Sequence, residues 1–248
     1  MRLLVLIGLF LYTAAIFATE WTHGVGGFIG SGDFGEATKT ITRAITVQGK
    51  AREGAWGLKV SSAFLSLSGP GSIDSDITGA RSSSTATAMG IGDVFVTANH
   101  AWTLRDRRGA TLLYGKMKVP LASTSDGLGT GEFDWELGAE GLRNVAHWGA
   151  FARAGYRWRG DRDNLALNDG GVYSAGLYRN VGARVRSGAS YEWRAAVRAQ
   201  SEPAREAMLF IEQRNSRGRS VTLYAIGGDS SASVDVAVGI EAAWRTAR

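Results

Sequence analysis

Over long stretches of this chain polar and apolar residues alternate one by one, and few folds accept that pattern. Successive side chains of a strand point to opposite faces, so strict alternation means one apolar face and one polar face. The clearest stretch is 132–141. Glu132, Asp134, Glu136 and Glu140 share one parity, while Phe133, Trp135, Leu137 and Ala139 share the other. A helix would scatter those acids around its circumference. From Trp148 to Arg159 the same happens with opposite charge: Trp148, Ala150, Ala152, Ala154, Tyr156 and Trp158 face one way, and Arg153, Arg157 and Arg159 the other. Val236, Val238, Ile240, Ala242 and Trp244 alternate with Asp235, Glu241 and Arg245. Tyr191 and Trp193 alternate with Glu192 and Arg194.

Twelve such segments are predicted as strands: 20–30, 41–51, 55–67, 91–104, 109–121, 132–143, 147–158, 171–180, 184–198, 205–214, 219–227 and 234–245. Their connections sort by length. Short ones, such as Arg52-Glu53-Gly54 and Asn144-Val145-Ala146, alternate with longer ones at 31–40, 68–90, 122–131, 159–170, 199–204 and 228–233. Short turns at one end and long loops at the other characterise bacterial outer-membrane barrels. An even strand count puts both chain ends at the short-turn, periplasmic side. The predicted fold is therefore all-β, an antiparallel transmembrane β-barrel of about twelve strands. Trp56, Trp102, Trp148 and Trp244 then fall at the periplasmic ends of their strands, and Phe64, Phe133, Trp135, Tyr156 and Trp158 toward the outer ends. Two aromatic girdles bounding an apolar band belong to a membrane barrel. A water-soluble barrel does not sort aromatics by height.

Composition fits. The chain carries 34 Gly, 3 Pro, no Cys and 3 His, with a formal charge of +5. Glycine at about twice its usual ~7% with scarce proline suits turns and closely packed strands, not disorder. Without cysteine there are no disulfides and no thiolate sites. Met1–Ala18 combines Arg2 with an apolar run and small residues, the layout of a secretory signal peptide. The run is shorter than the ~20 residues a spanning helix needs. The domains expected are thus a signal peptide at 1–18 and a barrel at 19–248.

Function is then sought in the lumen. The inward parities of three consecutive strands carry Lys116 and Lys118, then Asp134, Glu136 and Glu140, then Arg153 and Arg157. Acids flanked by bases on both sides form cross-strand ion pairs. Such a ladder either braces the wall or screens permeants by charge. Lys59, Glu192 and Arg194 complete the set of lumen-lining candidates. The bias is mildly basic, which gives an expectation of anion preference. Loop 68–90 is expected in solvent. Arg43 falls on the apolar parity, close enough to the outer end to reach headgroups.

Catalytic motifs are missing. No Gly-x-Ser-x-Gly elbow, His-Glu-x-x-His or phosphate loop occurs, and no serine lies within three residues of His100. Charge is spread along alternating strands, not gathered in a patch, so no nucleic acid is expected. No cofactor and no metal is expected either.

Certain short motifs carry a resemblance. Gly90-Ile91-Gly92-Asp93-Val94 opens a strand, followed by Gly115-Lys116-Met117-Lys118-Val119-Pro120, then Gly127-Leu128-Gly129-Thr130-Gly131-Glu132-Phe133-Asp134, then Gly155-Tyr156-Arg157. In this order they resemble an outer-membrane family labelled as transporters of the MetA pathway of phenol degradation. After Pro120 that family continues Thr-Gly-Asp, whereas this chain has Leu121-Ala122-Ser123. The resemblance implies a twelve-stranded barrel and transport of small aromatic or apolar molecules. The leading expectation is a bacterial outer-membrane channel for passive passage of small solutes. A closed barrel acting as a structural or surface-interaction protein stands second, and a lipid-acting outer-membrane enzyme third. Expected partners are outer-membrane lipid, a small-molecule solute and the barrel-assembly machinery.

The alternation itself is open to test. The purified chain is expected to require detergent, with tryptophan fluorescence shielded from aqueous iodide. Detergent-free dispersion with iodide-quenched tryptophans contradicts the membrane assignment.

Overall fold

The alternation becomes an all-strand structure. A computed structural model describes residues 20–70, 87–161 and 167–247, and these contain thirteen strands and no helix. They are β1 (Glu20–Gly32), β2 (Thr40–Glu53), β3 (Trp56–Ser68), β4 (Thr87–Ile91), β5 (Val94–Thr103), β6 (Gly109–Val119), β7 (Asp134–Val145), β8 (Trp148–Trp158), β9 (Gly170–Val181), β10 (Val185–Arg194), β11 (Ala204–Arg214), β12 (Arg219–Gly228) and β13 (Val236–Ala247). The expected signal peptide at 1–18 and the 71–86 part of the expected loop 68–90 lie outside the described residues.

Neighbours in the chain pair antiparallel, and β1 pairs both with β2 and with β13, from Glu20–Ala247 to Ser31–Val236. The sheet is therefore closed. β4 and β5 both lie along β3, at its upper and lower parts, and form one interrupted stave. Counted that way the barrel has twelve staves. The interruption is a bulge. Ile91 faces Phe64 and Phe95 faces Ser61, so four steps on one side match three on the other. The Gly92 amide still donates to the Ala63 carbonyl at 2.7 Å.

Turns follow the expected sorting. Each short connection holds one residue with positive φ: Gly54, Arg107, Ala146, Gly182 and Gly218. In the turn between β5 and β6, Asp106 accepts the Arg108 amide at 3.0 Å and pairs with Arg143 at 2.7 Å. Those contacts, the amide first, hold its carboxyl below the ordinary value. The β10 strand ends at Arg194 and not at 198, because the chain leaves the sheet there. Arg198 consequently lies in a long loop.

The outward face is apolar. Leu209, Met89, Leu177, Leu137 and Ile45 are each 58–65% exposed, and Trp56, Trp102, Trp135, Trp148 and Trp158 join them. Soluble monomers rarely expose contiguous apolar patches beyond a few hundred Å². At ~25 cal/mol per Å² a belt of this extent is tolerable only against hydrocarbon. At the short-turn end rings cluster: His100 meets Trp56 at 4.6 Å and Trp102 at 4.3 Å between centroids, and His23 meets Trp244 at 5.8 Å. At the long-loop end Tyr156 meets Trp158 and Tyr173 meets Trp193.

The glycines explain how the interior stays thin-walled. Tyr178 on β9 lies flat over Gly149 on β8, where an added Cβ would sit 2.1 Å from the ring. Its hydroxyl donates to Asn144 Oδ1 at 2.5 Å. The same relation joins Tyr224 to Gly239 and Phe151 to Gly176. Gly149→Val is expected to force Tyr178 off its seat and cost about 1–3 kcal/mol, the scale of overpacking. The urea midpoint of the refolded protein measures it.

Candidate functional site

Two structures fill the inside of this barrel, and both begin with charges placed on the inward parity. Lys59, Lys116, Lys118, Asp134, Glu136, Glu140, Arg153, Arg157, Glu192 and Arg194 all sit at inward register positions. They do not form one ladder.

The first structure centres on Glu136, which is 2% exposed. Arg157 donates to its Oε2 from Nε at 3.0 Å and from a terminal nitrogen at 2.7 Å. Arg153 pairs with its Oε1. The Tyr114 hydroxyl donates to the same oxygen at 2.8 Å and accepts from Arg153 Nε at 2.7 Å. Tyr114 fits because Gly138 and Gly155 lie beneath it; a Cβ at either would sit 2.4 Å from its oxygen. The Arg153 guanidinium stacks 4.4 Å from the Tyr114 ring centre. One carboxylate thus gathers two guanidiniums and a phenol from three strands, and the cluster keeps one positive charge. Glu140, opposite Arg153 in register, has no hydrogen bond or ion pair among the described residues.

The second structure joins the wall to the segment 120–133 between β6 and β7. Lys118 pairs with Asp134 at 2.8 Å and donates to Thr130 Oγ1 at 3.0 Å. The other Asp134 oxygen accepts the Gly160 amide at 3.1 Å. Asp93, wholly buried in the bulge, accepts the Leu121 amide at 3.1 Å and the Ala122 amide at 3.0 Å through one oxygen. Residues 127–130 are all buried, and Leu128 is 1% exposed. Leu128 packs with Ala44, Ala63, Leu65, Leu67, Ala88 and Ala122, against Phe28 and Phe34. The segment therefore folds into the barrel, where it seals one arc near the long-loop end.

Here the motifs spaced along the chain meet. Asp93, Lys118, Thr130 and Asp134 belong to three separate stretches and serve one latch. Leu65 and Leu67 went unrecognised as part of it. Their signal was present, since both share the parity of Lys59 while Phe64, Ser66 and Ser68 take the other. Asp93 gave no such signal, because only the bulge turns it inward.

The opposite arc differs. Arg194 pairs with Glu206 at 3.0 Å and with Glu192, and Glu212 pairs with Arg214 at 2.7 Å. Gln48 donates to Glu241 Oε1 at 2.6 Å across the β1 strand. Glu206, Glu212 and Glu241 face inward and offset the cations, so the basic bias read from strands 5 to 9 does not extend around the wall. Inward residues such as Thr46, Ser174, Ser190, Thr222 and Glu241 remain partly accessible. At the long-loop end Glu202 accepts the Ser231 amide at 3.0 Å and its hydroxyl at 3.1 Å, which lowers its pKa. Among the described residues no cluster of His, Cys, Asp and Glu is placed to hold a metal.

No protein-family model matches the chain, and no curated protein matches it in sequence. Solved structures do match in shape. An outer-membrane channel from Pseudomonas putida F1 has a TM-score of 0.70 at 11% identity, covering 92% of this chain and 96% of that one. NanC porin has a TM-score of 0.59 at 10% identity, with 90% and 98% covered. KdgM porin has 0.56 at 7% identity, with 89% and 98% covered. At such identities the likeness concerns the fold, a closed antiparallel outer-membrane barrel.

Replacing Glu136 by Gln leaves the buried Arg157 and the half-buried Arg153 without their anion. The expected loss is about 3–5 kcal/mol of stability, the cost of breaking a buried pair from one side. Urea unfolding followed by heat-modified gel mobility reads it; an unchanged midpoint contradicts the bracing role of Glu136.

Proposed function

We propose that the protein is a bacterial outer-membrane channel through which small solutes pass passively. The observation that supports this most is the uneven filling of the lumen. The arc of β2 to β8 is sealed near the long-loop end by residues 127–130, whereas inward residues of β9 to β13 keep accessible surface. A barrel built only as a structural wall has no need to leave that arc unfilled. Twelve strands fall between the packed interior of eight and the open pore of sixteen. A narrow, eccentric path suits that size.

The lining of this arc bears on the solute. Met208, Phe210, Tyr224 and Ile226 face inward with partial exposure. Around them stand the paired charges of Arg194, Glu206 and Glu212. An apolar strip beside neutralised ion pairs suits small molecules with an aromatic or aliphatic body. Paired charges discriminate weakly between ions, so neither sign of permeant is strongly preferred. The ten inward candidates divide in this reading. Lys118, Asp134, Glu136, Arg153 and Arg157 brace the sealed arc. Lys59, Glu140, Glu192 and Arg194 line the path, and Lys116 sits at their boundary. Among the described residues no histidine stands beside a serine nucleophile.

Planar-bilayer recording of the refolded protein tests the proposal. Wild type is expected to show small, stable conductance steps and a reversal potential near zero in a KCl gradient. Leu128→Asp together with Thr130→Val unseats the inner segment and raises the conductance. Glu206→Gln with Glu212→Gln removes carboxylates from the open arc and shifts selectivity toward anions. A folded barrel with no conductance in wild type or in the unseated variant favours the structural reading and overturns the channel.

A further inference from the structure

We propose that the outward wall between β11 and β2 binds one phosphate-bearing acyl lipid of the outer leaflet. Arg43 holds the phosphate, and an acyl chain lies in the hollow beside it. This goes beyond passage through the lumen and does not depend on it.

Arg43 occupies the lipid-facing parity of β2, between Ile41 and Ile45, which are 37% and 58% exposed. In register it stands beside Ile29 on β1 and Ser66 on β3. Its side chain has no hydrogen bond, ion pair or ring contact among the described residues. Three other outward arginines within strands are answered by the protein, while Arg219, the first residue of β12 at the short-turn end, lies away from the apolar hollow. Arg143 pairs with Asp106, Arg205 with Asp229, and Arg179 lies 5.6 Å from the Trp148 ring centre. A guanidinium on the lipid face is tolerated near the interface, where a headgroup oxygen can meet it. Arg43 is the fourth residue from the long-loop end of β2, which places it there.

The second observation is the shape of the wall beside it. A hollow of about 930 Å³ adjoins Arg43 on the outward face. Gly27 and Ala225 form its floor, because each puts little side chain where neighbours put a large one. Ile29, Leu223, Val238 and Ile240 form its sides. These residues make two adjacent rows across the sheet, and Arg43 ends one of them beside Ile29. A cation at the head of an apolar furrow matches the two halves of a lipid: an anionic oxygen cluster above and a hydrocarbon chain below. Guanidinium and phosphate pair through charge-assisted hydrogen bonds, often two at once. Chain burial in the furrow replaces loose solvation by fluid lipid with a fixed contact.

Native mass spectrometry of the full chain in dodecyl maltoside tests this. The probes are dimyristoyl phosphatidylglycerol and dimyristoyl glycerol, which share chains and differ in the phosphate. Wild type is expected to retain the phosphatidylglycerol and to hold the uncharged lipid far less. Arg43→Gln is expected to weaken phosphatidylglycerol retention about tenfold, the scale of one lost charge-assisted contact. Ala225→Trp fills the furrow and should weaken it comparably, while Arg179→Gln leaves it unchanged. Heat-modified mobility verifies that each variant remains a closed barrel. Equal retention of both lipids, wild-type retention by Arg43→Gln, or an effect of Arg179→Gln as large as that of Arg43→Gln overturns the site. Because the readout is bound lipid and not current, a silent channel leaves the result intact.

Discussion

Hydrocarbon offers a backbone amide no partner, and the pairing of β1 with β13 is where this barrel meets that requirement. Every strand in a bilayer needs both edges occupied. Here the seam runs almost the full length of both strands, from Glu20–Ala247 to Ser31–Val236. Closure then dictates two environments. Side chains of one parity meet lipid and are Leu, Ile, Val and Trp. Those of the other parity share a confined interior in which each charge needs a counter-charge or water.

Given that confinement, glycine and arginine act together. Inward rings such as Tyr114 and Tyr178 lie down over glycines and leave room above them. Guanidiniums stack on those rings, Arg153 on Tyr114 and Arg186 on Tyr178. The wall is thereby smooth, with its guanidiniums held flat against it. Beside it, the inner segment 120–133 is held by two different means: hydrogen bonds to Asp93 and Lys118, and apolar contact through Leu128. Polar latching sets its position, and apolar packing excludes water from that arc.

How much of this was legible beforehand depended on period. The twelve segments, their order and the sorting of short and long connections follow from alternation at period two, and the strands agree within a few residues. The segment 91–104 agrees least, since the bulge at Gly92-Asp93 breaks it and β4 starts at Thr87. A bulge shifts parity without a signature in composition. Inward placement of Glu136 was readable, and Arg157 stands opposite it in register, but its contacts with Arg153 and Tyr114 were not. Register puts Arg153 opposite Glu140, yet the long guanidinium reaches past it to Glu136 and Tyr114. The inner segment was harder still. Glycines at 127, 129 and 131 signalled a sharp turn, but contacts with Asp93, Lys118, Leu65 and Leu67 from distant strands fix it inside.

The neutralising contacts of the wall also carry an implication for biogenesis. Lys118 with Asp134, and Glu136 with Arg153 and Arg157, join residues no more than 21 apart in the chain, all within two consecutive hairpins. Each hairpin pair can therefore be discharged locally as it leaves water, before the ring has shut. The bond from Gln48 to Glu241 spans 193 residues, and the ion pairs Lys39–Asp235 and Arg245–Glu20 likewise join the two ends of the chain. These contacts wait for the last zippering step, so they report on completed insertion.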